Sequence, residues 1–368
     1  MKVAAERFVS TSVIGLVVFC SSVAFADSKP TKPDQAVEAI TVEAHPIAAF
    51  DKTDVGKTHF GKLRWRGGLV LTSPSRRFGG WSGLVLDAAG KKFFSISDAG
   101  SWMSGEIAYA GDRPAALEGG RLGPIRALSG KALTRKRNSD AEGLALVSGT
   151  PDKGSVLISF ERNHRIGRVD IGPDGLSPVL SYVDLPPGAR KMKSNKGLEA
   201  VAILRAGPNR GSLVAFAESL PDGAGDHTGW LWVKNKPVEI HMTNPGDYDV
   251  TDAAGLPDGG LLVLERRFRW SEGVKSRLRL TRRDELKPGE RIEGEMLFDA
   301  TMNQEIDNME GLAIHAGAGG EIIVTMISDD NFNHLLQRTL LLQFAIEGGD
   351  LARTESERRA GENSIKKK

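Results

Sequence analysis

The chain has 368 residues, of which 40% are hydrophobic and 26% charged, with a formal net charge of +2. That is the composition of an ordinary globular protein, long enough for one large core or two domains. The near-neutral balance carries no basic stripe of the kind nucleic acid needs, and one cysteine, Cys20, excludes a disulfide framework.

Lys2 and Arg7 precede an apolar run from Val9 to Phe25, and Ala24-Phe25-Ala26 puts small residues at both cleavage-determining positions. Residues 1–26 are expected to be a secretory signal peptide, with an apolar run short for a membrane span. Cleavage after Ala26 removes the only cysteine. The mature chain is then expected to be periplasmic or secreted, monomeric and without a membrane span. Residues 27–39, with Lys29, Pro30, Lys32 and Pro33, read as a flexible leader.

Residues 40–347 read as the folded domain. Ile40 to Ala44 alternates like a first strand, and Leu63 to Leu71 reads as a strand pair or one long strand with a glycine bulge. Asp87-Ala88-Ala89-Gly90 is a hairpin turn. Further strands are expected at 230–233, 276–280, 296–298 and 340–344. No amphipathic helix longer than three turns appears; 305–309 and 333–338 read as single turns. Residues 348–368 form a charged tail ending in Lys366-Lys367-Lys368, expected to be disordered.

Within the domain one sentence repeats. Ala141-Glu142-Gly143-Leu144 leads to Val156–Phe160 and then Glu161. Gly197-Leu198-Glu199-Ala200 leads to Ser212–Ala217 and Glu218. Val250-Thr251-Asp252-Ala253 leads to Leu261–Leu264 and Glu265, and Asn308-Met309-Glu310-Gly311 leads to Glu321–Ile327 and Asp329. A fainter first copy runs from Trp81-Ser82-Gly83-Leu84 to Asp98. Short strands repeating at a spacing near 57 residues predict a β-propeller. Five copies, with enough chain before Trp81 and after Asn331 for another, predict six blades in an all-β fold.

Equivalent loops of a propeller converge on one end of its channel. Glu142, Glu199, Asp252 and Glu310 are therefore expected in one ring, with Asp98, Glu161, Glu218, Glu265 and Asp329 in another nearby. Crowded carboxylates repel one another and are costly to desolvate. They need arginines, shared protons or a cation. Each acid alone can equally cap a turn or pair with Arg162, Arg266 or Arg267. Recurrence in register favours a cation site, and oxygen ligands without cysteine favour a hard ion such as Ca²⁺. The seven histidines show no close ligand spacing. Basic residues flank the acids: Arg162, Lys193, Lys196 and Arg266 read either as solvated loops or as donors for an anionic substrate. No G-x-S-x-G elbow is present, so serine catalysis has little support.

Seven motifs in order carry a resemblance: Ser97-Asp98-Ala99-Gly100, Asp140–Ala145, Phe160–Asn163, Gly197–Ala200, Leu264–Phe268, Asn308–Ala313 and Ser328–Phe332. Together they resemble the phytase-like family, also described as "esterase-like activity of phytase", over about Gly61 to Phe344. Ala99 departs from that family's pattern, which more often has a larger or charged residue there. The resemblance implies a β-propeller and hydrolysis of a phosphate or carboxylic ester, with a small-molecule substrate and, as in calcium-dependent propeller phytases, acidic channels. It assigns no catalytic residue. A non-catalytic ligand- or partner-binding propeller and a lactonase-like enzyme stay open beside it.

Overall fold

Trp81, Ala141, Leu198, Val250 and Met309 each stand near the start of an apolar run, and each run becomes the innermost strand of a sheet. These strands (Trp81–Leu86, Ala141–Thr150, Leu198–Ile203, Asp249–Gly255 and Asn308–Ala316) are largely buried on both faces. That is why their hydrophobicity is continuous rather than alternating. In the computed structural model, which describes residues 36–347, they pack side by side in a closed ring.

Each inner strand leads antiparallel into its own sheet, giving five blades. Blade 1 adds Lys92–Ser97, Ser101–Ala110 and Arg113–Pro124. Blade 2 adds Lys153–Phe160 and Arg165–Gly172, whose outer side takes Gly175–Leu176 and Ser181–Val183. Blade 3 adds Leu213–Pro221, His227–Val233 and Lys236–Met242, with Arg291–Ile292 joining in parallel. Blade 4 adds Leu261–Arg269, Gly273–Thr281 and Glu295–Ala300. Blade 5 adds Ile322–Asp329 and Thr339–Ile346, then closes on the N-terminal strands Leu63–Thr72 and Glu43–Ile47.

The expected six blades are therefore five. The chain before Trp81 and after Asn331 makes no extra blade; it completes the fifth repeat. Leu341 pairs with Leu69 and Phe344 with Trp65, which removes the open sheet edge. The bulge expected near Gly67 is present, at the register shift opposite Gln343–Phe344. The first long strand is Glu43–Ile47, not Ile40–Ala44.

The expected leader lies mostly outside the described residues, but Glu38 and Ala39, at its end, pair with Leu122 and Arg121 of blade 1. The signal peptide and the charged tail lie outside the described residues. Among those residues one four-residue α-helix, Lys136–Ser139, and one 3₁₀ turn, Pro187–Lys191, are the only helical segments. Asn308 and Met309 belong to a strand rather than a helical turn.

The core is divided among the five seams between blades. At the seam of blades 4 and 5, Phe50 packs edge-on against Phe60 and Phe344 at 4.9 and 5.0 Å between ring centres. Blades 2 and 3 meet over Trp230, Leu157 and Val201. Such seams bury apolar surface on both sides of every sheet and so set each blade's angle to the next. Inside the ring, five inner strands leave only a narrow channel cavity of ≈ 110 Å³, lined by Leu84, Leu144, Val201, Ala253 and Leu312 among others. Small residues permit this closeness. A Cβ on Gly83 would lie 2.7 Å from that of Leu144, and one on Gly143 would run into the carbonyl oxygen of Glu199.

Candidate metal centre at the channel mouth

Every inner strand opens with the same irregularity. The pairing register between the first two strands of each blade slips between Trp81 and Gly83, near Glu142, between Leu198 and Ala200, between Val250 and Asp252, and between Met309 and Gly311. The residues set out of register are Ser82, Glu142, Glu199, Thr251 and Glu310. A bulge re-aims its side chain, here toward the channel mouth. The second strand reaches the same mouth at Asp98, Glu161, Glu218, Arg266 and Asp329, each one residue past the pair that flanks the bulge.

This register corrects two expected positions. In blade 4 the equivalent of Glu142 is Thr251, and the equivalent of Glu161 is Arg266. Asp252 and Glu265 each stand one residue away, and one residue turns a strand side chain to the other face. Asp252 is fully buried and accepts the backbone N–H groups of Leu312 at 2.6 Å and Ala253 at 2.8 Å, tying blade 4 to blade 5. Burial pushes its carboxyl well above the ordinary range despite those bonds. Glu265 is also fully buried, gripped by Arg277 (2.6 and 3.0 Å), Arg279 (2.8 and 2.7 Å) and His227 (3.0 Å). Burial alone would raise its carboxyl, but His227 and the two guanidinium groups outweigh it and hold it at about 2. Neither residue reaches the mouth.

The other seven expected acids do converge, and Asp140 joins them. Asp140, Glu142 and Glu161 bring one carboxylate oxygen each within 4.8 Å of one another, and Glu161, Glu199 and Glu218 do the same. Glu161 belongs to both triplets. Burial pushes Glu142 well above its ordinary value, reinforced by the charges of Glu199, Asp140, Asp98 and Glu310. Burial does the same to Glu199, reinforced by Glu218 and Glu310, and to Asp329, reinforced by Glu310 and Asp98. Glu161 is pushed up to about 7 by burial and by Asp140. Glu310 also reaches about 7, raised by burial and held back by Arg266. Asp98 and Glu218 are raised by burial, which their lysine partners partly oppose.

Four cations are threaded between these eight carboxylates. Lys136 reaches Asp98 and Asp140, both at 2.5 Å. Arg162, at φ +57°, pairs with Asp140. Lys196 pairs with Glu218 at 2.5 Å and Asp249 at 3.0 Å. Arg266 donates to the side-chain oxygen of Asn308 at 2.6 Å and lies 3.6 Å from Glu218. Three of the four residues expected to bind substrate are thus already engaged with acids. Lys193 is exposed, and its backbone oxygen bonds His164 at 3.1 Å. Asp330, beside Asp329, closes the propeller instead: it accepts Gly80 N–H at 3.1 Å and the Thr339 hydroxyl at 2.9 Å.

The donor set fits a hard divalent cation. It is all oxygen, negatively charged in excess, and buried where isolated carboxylates are costly. Asp98 Oδ1 is buried without a hydrogen-bond partner. Asp140 was not among the acids expected in the rings; Lys136 lies in the basic cluster 135–138 before it, which reads either as a solvated loop or as an anion-holding rim, and is bound to acids instead. Asp140 sits two residues before Glu142, but the same place holds Gly80, Gly197, Asp249 and Asn308 in the other repeats, so no repeating acid marks it.

The family model described as "Phytase-like: Esterase-like activity of phytase" matches residues 76–332. No curated protein matches the chain. Among solved structures it is similar to a gluconolactonase from Xanthomonas campestris, with 12% identity, 86% of this chain and 98% of that chain covered, and a TM-score of 0.37. It is also similar to the β-propeller domain of Cps50 (Swd1) from Myceliophteria thermophila, with 10% identity, 84% and 99% coverage, and a TM-score of 0.35.

Proposed function

The chain belongs to the phytase-like family, described by the esterase-like activity of phytase, and from that premise we propose that it hydrolyses phosphate or carboxylic esters at the acidic mouth, with Ca²⁺ held there. The observation that carries the reading is the pair of buried carboxylate triplets sharing Glu161. Eight buried or half-buried acids against four cations leave a negative excess that a divalent ion would neutralise. Asp140, Glu142, Glu161, Glu199 and Glu218 would hold it, and Asp98 would add its unpartnered oxygen. The ion would polarise the ester oxygen as a Lewis acid.

The chain's own groups have separate tasks. Glu310 stands outside both triplets, and at about 7 it is poised to exchange a proton near neutral pH. We assign it the general base. Asn308 donates to Glu310 Oε1 at 2.7 Å and accepts from Arg266, so it fixes that carboxylate's orientation. Arg266, Lys196 and Arg162 are the cations at the mouth, and an anionic ester would compete with Glu218 and Asp140 for them. Export by way of residues 1–26 and a monomeric state belong to the same proposal.

The deciding measurement is a Ca²⁺ titration of the purified protein, followed by thermal melting and by phytate and aryl-ester assays with and without chelator. A melting temperature that rises with Ca²⁺ and turnover lost to chelator support the reading. No shift and no turnover would leave a binding propeller whose acids are paired with its own lysines and arginines.

A further inference from the structure

Blade 4 does not stop at the mouth. Its second strand runs on past Arg266 to Arg269, turns through Trp270–Glu272 and returns from Gly273. The turn is a regular hairpin: Glu272 N–H donates to Arg269 O at 3.0 Å, and Gly273 takes φ +73°, the left-handed position such a loop requires. The ladder stays paired to its end, with Phe268 opposite Val274 and Arg269 opposite Gly273. A paired hairpin of this kind presents its side chains in fixed places.

Which way they point follows from the two-residue period of a strand. Arg267 and Arg269 lie on the side of the loop that joins blades 3 and 4. Arg267 donates to Gly246 O at 2.7 Å and stacks over Tyr248, and Arg269 pairs with Asp247 at 3.1 Å. Arg266 points the other way, to Asn308. Phe268 shares that direction and stands about 7 Å further out along the strand. Trp270 meets Phe268 edge to face at 5.4 Å. Phe268 is 51% exposed and Trp270 95%. Across the same seam, the blade 5 loop that follows Asp330 exposes Leu335 and Leu336.

An exposed apolar pair at the end of a fully paired hairpin, on the side of the strand that carries Arg266 to the mouth, offers a binding surface. We propose that Phe268 and Trp270 form a wall that receives the aromatic or apolar group of an ester whose acyl or phosphoryl end enters the mouth beside Arg266, Asn308 and Glu310. This inference rests on the hydrolase reading and narrows its substrate class. Esters with a ring or a sizeable apolar group are favoured over wholly polar polyphosphates.

The structure supplies its own probe. The other five tryptophans, Trp65, Trp81, Trp102, Trp230 and Trp232, are at most 6% exposed, so acrylamide quenching of the intact protein's fluorescence reads Trp270. With Ca²⁺ present, phenylphosphonate is expected to cut the quenching constant about twofold, while methylphosphonate leaves it unchanged. Read by calorimetric titration, which does not need the Trp270 fluorophore, Phe268→Ala is expected to weaken phenylphosphonate about tenfold, and Trp270→Phe, which keeps an aromatic wall, to hold most of that affinity.

Equal shielding by both phosphonates, or by neither, overturns the wall. Shielding that grows with protein concentration and no ligand also overturns it, since a second copy then covers the hairpin. Phenyl-selective shielding in a protein that turns over no ester upholds the wall and defeats the hydrolase reading. Turnover of aryl and methyl esters with equal KM does the reverse.

Discussion

Arg266 donates to Asn308 Oδ1 at 2.6 Å, across the seam of blades 4 and 5, from the place where the other blades carry Asp98, Glu161, Glu218 and Asp329. One blade in five thus contributes a cation to a ring of acids. Burial opposes its charge, but Glu310, Glu218 and Glu199 more than restore it. Arg266 is the internal counter-ion of the mouth.

Arg266→Gln removes that counter-ion. The chelated variant is expected to melt several degrees below the parent at pH 8, where the carboxylates repel most strongly. Its Ca²⁺ affinity is expected to rise about tenfold, as one opposing charge a few ångströms away is lost. Calorimetric titration with CaCl₂ reads both signs; a fall in affinity would mean Arg266 organises the ligands rather than competing with the ion.

Glu161 is the acid common to both triplets. Glu161→Gln is expected to weaken Ca²⁺ binding about tenfold or more, and by more than Glu142→Gln or Glu218→Gln, each of which touches one triplet only. Glu199→Lys places an ammonium in the mouth and should abolish chelator-sensitive turnover. Equal affinities across the three glutamine variants would show that the triplets do not hold the ion.

In the metal-free protein Glu161 and Glu310 titrate near 7, above their ordinary 4.5. A raised carboxyl binds its proton more tightly in the folded state, so the contribution of these two groups to stability is full below about 4.5 and declines as pH rises toward 7. With chelator present, the melting temperature is expected to fall by a few degrees across that window, and saturating Ca²⁺ should flatten the slope. Glu265, held at about 2, contributes with the opposite sign, but its loss lies between about 4.5 and 2.

Glu265→Ala leaves two buried guanidinium groups without their carboxylate and is expected to cost about 3–5 kcal/mol. Asp252→Asn keeps the size but offers a poorer acceptor to Leu312, and should cost about 1–2 kcal/mol. Urea unfolding measures both. Neither change should alter Ca²⁺ affinity in the folded protein; a tenfold drop would return these acids to the ring.

The repeat, the propeller class and the end of the molecule that gathers the acids could all be read from the sequence. The second strands of blades 3 and 5 are buried on both faces, so Leu213–Ala217 and Ile322–Ile327 appear as unbroken apolar runs, and the acids that follow them mark where each run leaves the core. The family resemblance lay in the same motifs, because they are the strand ends that form the mouth.

What the tertiary structure decided was pairing. Only the ladder between Leu63–Thr72 and Thr339–Ile346 shows that the two ends of the domain share one blade, which makes five blades of an expected six. Only the bulge after Val250 shows that Thr251 and Arg266, not Asp252 and Glu265, occupy the ring in blade 4. Both are matters of register between strands distant or slipped in sequence. A one-residue slip leaves the local pattern almost unchanged while turning a carboxylate from the channel to a buried arginine pair.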